Sequence, residues 1–343
     1  MTAPPAAEAR RRPLKRRVLK HVRKLVGERG VVESSSRNVR NAVKFRMGKP
    51  IQRTDLFAWR PGPGNRFGVY AFGGCDLGSV IGAGTALGRR HGGAICIGAF
   101  ANAPATRSDI ILQTLDPPAT DLTSAVIERL QLPDGYFEPR LFTPDFNVPG
   151  QLGVGRFPKS IIAMSVSSDI SRIAYRHREH GFLVDPGGWW LSSSLDEVLS
   201  DLSMAKWFAS EFKKVGRLTV EESMDNLERI VTEVRNRHGA FVVMLNVLTV
   251  DPGRVAFDYS KSSAPNRARR RSYNLALTDL ARKLDFPILD VDRITKQHGI
   301  SGQADFVHYT PQQKKWISRE FAELVIESGA LEGRPTPQIA AVR

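Results

Sequence analysis

Thr219-Val-Glu-Glu222, closed seventeen residues later by Gly239 and followed at once by Ala240-Phe-Val-Val-Met-Leu-Asn-Val-Leu-Thr-Val250, decides the fold. Thr219 and Glu222 have the spacing of a capping box, in which hydroxyl and carboxylate each satisfy a free backbone N–H at a helix start. Val220, Leu227, Ile230, Val231 and Val234 recur on one helical face, and Gly239 stops the helix. The run 240–250 has no polar alternation, so it predicts a strand buried on both faces. A helix delivered straight into such a strand is the repeating unit of a parallel α/β sheet.

Outward from that unit the pattern repeats. Phe67-Gly-Val-Tyr-Ala-Phe72, Ala94-Ile-Cys-Ile-Gly-Ala-Phe100, Ser160-Ile-Ile-Ala-Met-Ser-Val166 and Pro287-Ile-Leu-Asp290 read as four further strands. Helices are expected over Leu77 to Leu87, Thr120 to Leu130, Asn274 to Leu284 and Pro311 to Glu327. Residues 101–158 are rich in Pro and Asp and read as long loops with short helices, and an interrupted helical stretch is expected between Asp169 and Thr219. The expected architecture is a three-layer α/β/α sandwich with a mostly parallel five-stranded sheet.

Composition narrows the function classes. The chain has 343 residues, 41% hydrophobic and 25% charged, enough to bury a sizeable core. No apolar run approaches the length of a membrane span. Two cysteines, Cys75 and Cys96, exclude a disulfide framework and suit a reducing cytoplasm. The net charge of +15 is concentrated: residues 1–53 hold 16 Lys and Arg against 3 Glu, leaving about +2 for the other 290 residues. The chain thus divides into a basic arm (1–53), an α/β domain (54–330) and a flexible tail (331–343). Leu14, Val18, Val22 and Leu25 recur at helical spacing among basic residues, so residues 10–29 form a basic amphipathic segment suited to an anionic membrane surface or an acidic partner. The near-neutral body argues against nucleic acid.

In an open parallel sheet, ligands bind beyond the carboxyl ends of the strands. There the sequence places Gly73-Gly74-Cys75-Asp76 after the first strand, Ser167-Ser168-Asp169 after the third, Thr249 and Asp251 after the fourth, and Asp290 and Asp292 after the fifth. Asp305-Phe-Val-His308 precedes Thr310-Pro311, a strong helix start with Gln313 three residues on. A carboxylate three residues from an imidazole can accept from one ring nitrogen and leave the other as a base.

These blocks resemble, in order and spacing over residues 66–328, those of the SGNH (GDSL-type) hydrolases: Gly-Asp-Ser, Gly-x-Asn-Asp and Asp-x-x-His. The resemblance implies a flavodoxin-like sheet, ester chemistry without cofactor or metal, and a nucleophile at the position held by Cys75. His308 would then be the base and Asp305 its orienting carboxylate, with Gly74, Ser168 and Asp169 lining the oxyanion and substrate region. The Asp-x-x-His block is intact. In the first block cysteine stands for serine, a better nucleophile whose pKa falls beside an imidazole or a helix start. In the second, Ser168 stands for the family's oxyanion asparagine. The oxyanion glycine has two candidates, Gly98 and the Ala101-Asn102 turn.

Two functional readings follow. One is an acyl-ester hydrolase or O-acyltransferase acting on a small-molecule or glycan acyl ester. The other is an inactive descendant that binds a glycan or partner through the same cleft. Beside them stand plainer readings of single features: Cys75 as a small buried filler, His177 and His180 as a polar helix end, and Trp189-Trp190 as satellite core. Arg267 and Arg269 to Arg271 read as a solvated basic loop.

Overall fold

Strand β1 (Arg66–Phe72) lies second in the molecule's five-stranded sheet, between the next two strands of the chain that join that sheet. In the computed structural model, residues 66–73, 76–77, 96–144, 146, 160–186, 199, 201–249, 264–299 and 308–328 are described, all within one unit. The basic arm, the C-terminal tail, Trp189-Trp190 and the expected helix beyond Leu77 lie outside the described residues.

In chain order come β2 (Cys96–Asn102), helices α1 (Ser108–Gln113) and α2 (Thr120–Arg129), β3 (Ser160–Ser165), the short α3 (Ser167–Ser171), β4 (Ala174–His177) and β5 (Leu183–Val184). Then follow α4 (Leu202–Glu211), β6 (Phe212–Gly216), α5 (Val220–His238), β7 (Phe241–Leu245), α6 (Ala264–Leu284), β8 (Ile288–Leu289), α7 (Val291–His298) and α8 (Pro311–Glu327). The five expected strands pair in the order β2-β1-β3-β7-β8, every neighbour parallel. Counted along the sheet this is the 2-1-3-4-5 order of flavodoxin-like folds.

Alternation along the strands explains the three layers. Tyr70, Phe72, Ile162, Met164, Val242 and Met244 point to one face, where Ile110, Val126, Leu227, Ile230, Val234 and Leu277 of the helices cover them. Val69, Ala71, Ile161, Ala163, Val243 and Leu245 point to the other, against Ile294, Ile317, Phe321 and Val325. Each fully buried aliphatic side chain contributes roughly 1.5–3 kcal/mol, so a sheet covered on both faces has no register free to slip.

Helix α5 bears out its capping reading. Thr219 Oγ1 accepts from Glu222 N at 3.1 Å, and Thr219 N donates to Glu222 Oε2 at 2.7 Å. Gly239 ends the helix at φ 62°, a left-handed turn that glycine adopts without a Cβ penalty. Thr219→Ala is expected to lower the unfolding free energy by about 1 kcal/mol, visible as a lower urea midpoint at unchanged slope.

Three expectations are corrected. The stretch between Asp169 and Thr219 is not simply helical: β5-β4-β6 form a small antiparallel sheet. Its inward rings pack tightly, His177 stacking on Phe182 at 4.7 Å and Phe208 on Phe212 at 5.0 Å. Strands of two to five residues are too short to show a period of two in the sequence. Along β6, Lys213 and Lys214 are both exposed.

Second, the arginines 267–271 belong to α6, which starts ten residues earlier than expected. Arg269 donates to the Leu218 carbonyl and lies over the Tyr273 ring at 5.2 Å, while Arg270 is buried and reaches Leu248 O at 3.4 Å. These cations hold carbonyls at loop and strand exits, which a solvated loop would not. Third, β7 ends at Leu245, not near Val250. Beyond it the backbone of Val247 is paired by a side chain: Val247 N donates to Asn274 Oδ1 at 3.0 Å and Asn274 Nδ2 to Val247 O at 2.8 Å.

A buried joint ties the two sheets together. Arg107, fully buried, donates to Asp109 at 2.9 and 2.6 Å and to the carbonyls of Arg172 and Gly216 at 3.1 and 2.6 Å. Arg172 in turn pairs with the buried Asp185 at 2.8 Å.

Candidate active site at the carboxyl rim

The chain leaves β1 toward β2 on one side and returns to β3 on the other, so the β1/β3 boundary is the switch point where such sheets open a crevice. Two observations describe that boundary. A Cβ on Gly73 would stand 3.1 Å from the Cβ atoms of both Leu77 and Ser165, so glycine lets the β1 exit lie against the end of β3. Ser165, the last residue of β3, donates its hydroxyl to Asp76 Oδ2 and accepts from Ser167 N at 3.2 Å. Asp76 is 2% exposed, and its Oδ1 has no hydrogen-bond partner among the described residues. A buried oxygen without a donor asks for an explanation.

His308 is exposed and directly precedes Tyr309, which is buried in the same apolar cluster as Leu77. The start of α8 is held by Gln313, itself 2% exposed. Thr310 N donates to its Oε1 at 2.8 Å, and Gln313 N to Thr310 Oγ1 at 3.2 Å, while its Nε2 reaches Gly299 O at 3.4 Å. One side chain thereby joins Gly299, at the end of α7, to Thr310, at the start of α8. Cys75, Gly74 and Asp305 fall outside the described residues, so the structure gives neither the thiol–imidazole distance nor the imidazole–carboxylate one.

Ser168 and Asp169 follow β3 on α3, both nearly buried. Both Asp169 oxygens are occupied. Oδ1 accepts from Ser108 N at 2.8 Å; Oδ2 accepts from Ser108 Oγ at 2.7 Å and Ser223 Oγ at 2.5 Å. Burial pushes this carboxyl up to about 6, against the lowering effect of the three hydrogen bonds. Asp169 therefore joins α1, α3 and α5 beneath the rim. Gly98 lies inside β2, at the register shift in its pairing with β1, and Asn102 is that strand's last residue. Of the two oxyanion candidates, only Ala101-Asn102, which is the end of β2 and not the expected turn, lies at the carboxyl end.

His177 and His180 are not at a helix end as expected, but at the end of β4 and in the turn that follows it. His177 is buried, its Nδ1 accepts from His180 N at 3.2 Å, and its Nε2 lies 3.3 Å from Glu211. No group of three metal-ligating side chains occurs among the described residues. Nor is any helix among them long and apolar enough to cross a membrane.

The sequence reading missed Ser165, which looked like one more residue of an apolar run, and Ser108, which lay in a segment read as loop. A small hydroxyl residue ending an apolar strand was the only sign of the first.

Neither a protein-family model nor a curated protein matches the chain. Solved structures do show a likeness. The chain is similar to an acetylxylan esterase from Geobacillus stearothermophilus, with 11% identity, 77% of this chain and 95% of that one covered, and a TM-score of 0.37. It is similar to a GDSL-like lipase from Bacteroides thetaiotaomicron at 9% identity, with 80% and 95% covered and a TM-score of 0.35. An α/β hydrolase from the metagenome of Lake Arreo in Spain shares 13%, with 80% and 99% covered and a TM-score of 0.38. A fold of this kind hosts many activities, so the activity has to be argued from this chain's own site.

Proposed function

We propose that the chain is an acyl-ester hydrolase or O-acyltransferase whose nucleophile is Cys75, with His308 as general base and Asp305 orienting it. The observation that carries the reading is the Ser165–Asp76 hydrogen bond across the β1/β3 switch point. It ties the residue after Cys75 to the end of the neighbouring strand, at the rim where ligands of such sheets bind. Leu77 and Tyr309, two residues beyond Cys75 and one beyond His308, add to it by sharing one packed cluster.

The chemistry runs in two steps. His308 takes the thiol proton as the Cys75 sulfur attacks the ester carbonyl, and the tetrahedral oxyanion is met by the Cys75 N–H and the Gly74 and Ser168 region. The C–O bond breaks, the alcohol leaves with the proton from His308, and a thioester remains. Water or an acceptor hydroxyl then loses its proton to His308, attacks the thioester and releases the acid or the new ester, and the thiol recovers its proton. The substrate we propose is a small-molecule or glycan acyl ester.

Alkylation of the full chain with iodoacetamide across pH tests this directly. Cys75 is expected to react several-fold faster than Cys96 at pH 7, with an apparent pKa below the free-thiol value of about 8.5. His308→Ala should return it toward that value. Equal and slow alkylation of both thiols would instead favour an inactive, ligand-binding descendant.

A further inference from the structure

A cleft of about 470 Å³ opens at the carboxyl ends of β7 and β8, on the rim that carries the candidate active site. β7 lies two strand spacings from β1, about 10 Å along the sheet. The cleft's wall is fixed before any ligand arrives. Asn274 is braced by both backbone groups of Val247. Asn246 Nδ2 donates to Asp290 Oδ1 at 2.6 Å, and Asn246 Oδ1 accepts from Asp292 N at 3.3 Å. Asp292 is filled by Thr249 at 2.8 and 2.9 Å and by Lys296 at 2.5 Å. Groups held in this way lose little freedom on binding.

What remains unused on that wall has a definite character. Among the described residues each carboxamide has given one of its two amide hydrogens, which leaves one on Asn246 and one on Asn274. Asp290 Oδ1 takes Asn246 and the Arg293 N–H, the latter at 2.9 Å, while no bond engages Oδ2 among the described residues. Thr278 donates to Asn274 O at 2.9 Å and keeps its own lone pairs. Donors and acceptors thus alternate, which suits hydroxyl groups because each hydroxyl does both. The cations do not make an anion site: Lys296 is held by Asp292, and Arg293 by Glu320 and by Gln297 at 3.0 Å. At the lip Leu275, 70% exposed, offers an apolar surface for the C–H face of a ring.

The geometry points to a subsite for a neutral polyhydroxylated ring, a sugar, at the exit of β7 and β8. Its part as the glycan-holding side of an ester site rests on the function proposed above, but the binding itself does not.

Saturation-transfer NMR and titration of the full chain with methyl β-D-glucoside and methyl β-D-xyloside test it, with glucuronate and inorganic phosphate as anionic comparators. Millimolar binding of at least one neutral glycoside is expected, and none of comparable strength for the anions. Asp290→Asn keeps the helix-capping oxygen of α7 but turns the free acceptor into a donor, and should weaken the glycoside about tenfold. Leu275→Ala, at an exposed position that does not touch the fold, should weaken it several-fold. Preference for glucuronate or phosphate, no binding at all, or binding that both variants leave unchanged would overturn the proposal. Alkylation of the parent chain separates the two ideas. A parent chain that binds the glycoside while its Cys75 is alkylated no faster than Cys96 would count against the ester reading alone.

Discussion

Cys75→Ala should lower turnover of an activated reporter ester such as p-nitrophenyl acetate by about 10⁴–10⁶-fold, the usual loss when a nucleophile–base unit is broken. Alanine has no atom to form the thioester, so burst-phase acylation should vanish with it. Cys96→Ala is the control, because Cys96 opens β2 at the amino end of the sheet, away from the ligand rim. His308→Ala should lose a comparable factor, and the double variant little more than either alone, because the two side chains act as one unit. Full turnover in Cys75→Ala with an unchanged melting curve would show that some other residue attacks the ester.

The largest effect on stability is expected at Asp169. Asp169→Ala leaves the Ser108 N–H and two serine hydroxyls buried without their acceptor, at a cost of about 3 kcal/mol or more. Its pH dependence has a definite sign. The folded carboxyl titrates near 6, above the ordinary value of 3.8, so the folded chain keeps a proton that the unfolded chain has already released in between. Unfolding therefore sheds a proton in that window, and stability falls as pH rises. The contribution is fully present below about pH 4 and declines by about 3 kcal/mol as pH passes 6. Asp109 adds to the upward shift, and the neighbouring Arg107 faces the same group. Asp169→Asn cannot titrate, so its stability relative to the parent should climb by that amount between pH 4 and pH 7. Parallel denaturation curves across that range would show that Asp169 is ionised throughout.

Much of the fold was legible because burial on both faces leaves uninterrupted apolar runs. Strands β1, β3 and β7 announced themselves in this way, and Thr219, Gly239 and Thr310 marked helix ends by chemistry that works within four residues. The small sheet was not legible, because β5 has two residues and β4 four, and their pairing depends on stacked rings far apart in sequence. The extent of β7 was hidden for a related reason. Asn274 supplies the hydrogen bonds of a missing strand, and no local pattern shows that a side chain will do so.

For the candidate site the sequence pointed to the carboxyl rim, since only strand exits at that end were considered. It had no access to the Ser165–Asp76 contact, which spans 89 residues. Asp169 illustrates the opposite case. A carboxylate beside two serines after a strand looks available for substrate, yet its oxygens are filled by Ser108 and by Ser223, partners whose approach only the packing of α1 and α5 reveals.

The lysines on β6 bear on how the molecule behaves in a crowd. An outer strand whose backbone N–H and C=O groups have no neighbour on one side is a template on which another polypeptide can add and fibrils can grow. Among the described residues β6 pairs with β4 alone, and its consecutive Lys213 and Lys214 are both exposed, one toward each face. A second copy approaching in register would bring like charges together and strip their hydration. This short strand thus protects solubility at high concentration while still holding the aromatic cluster beneath it.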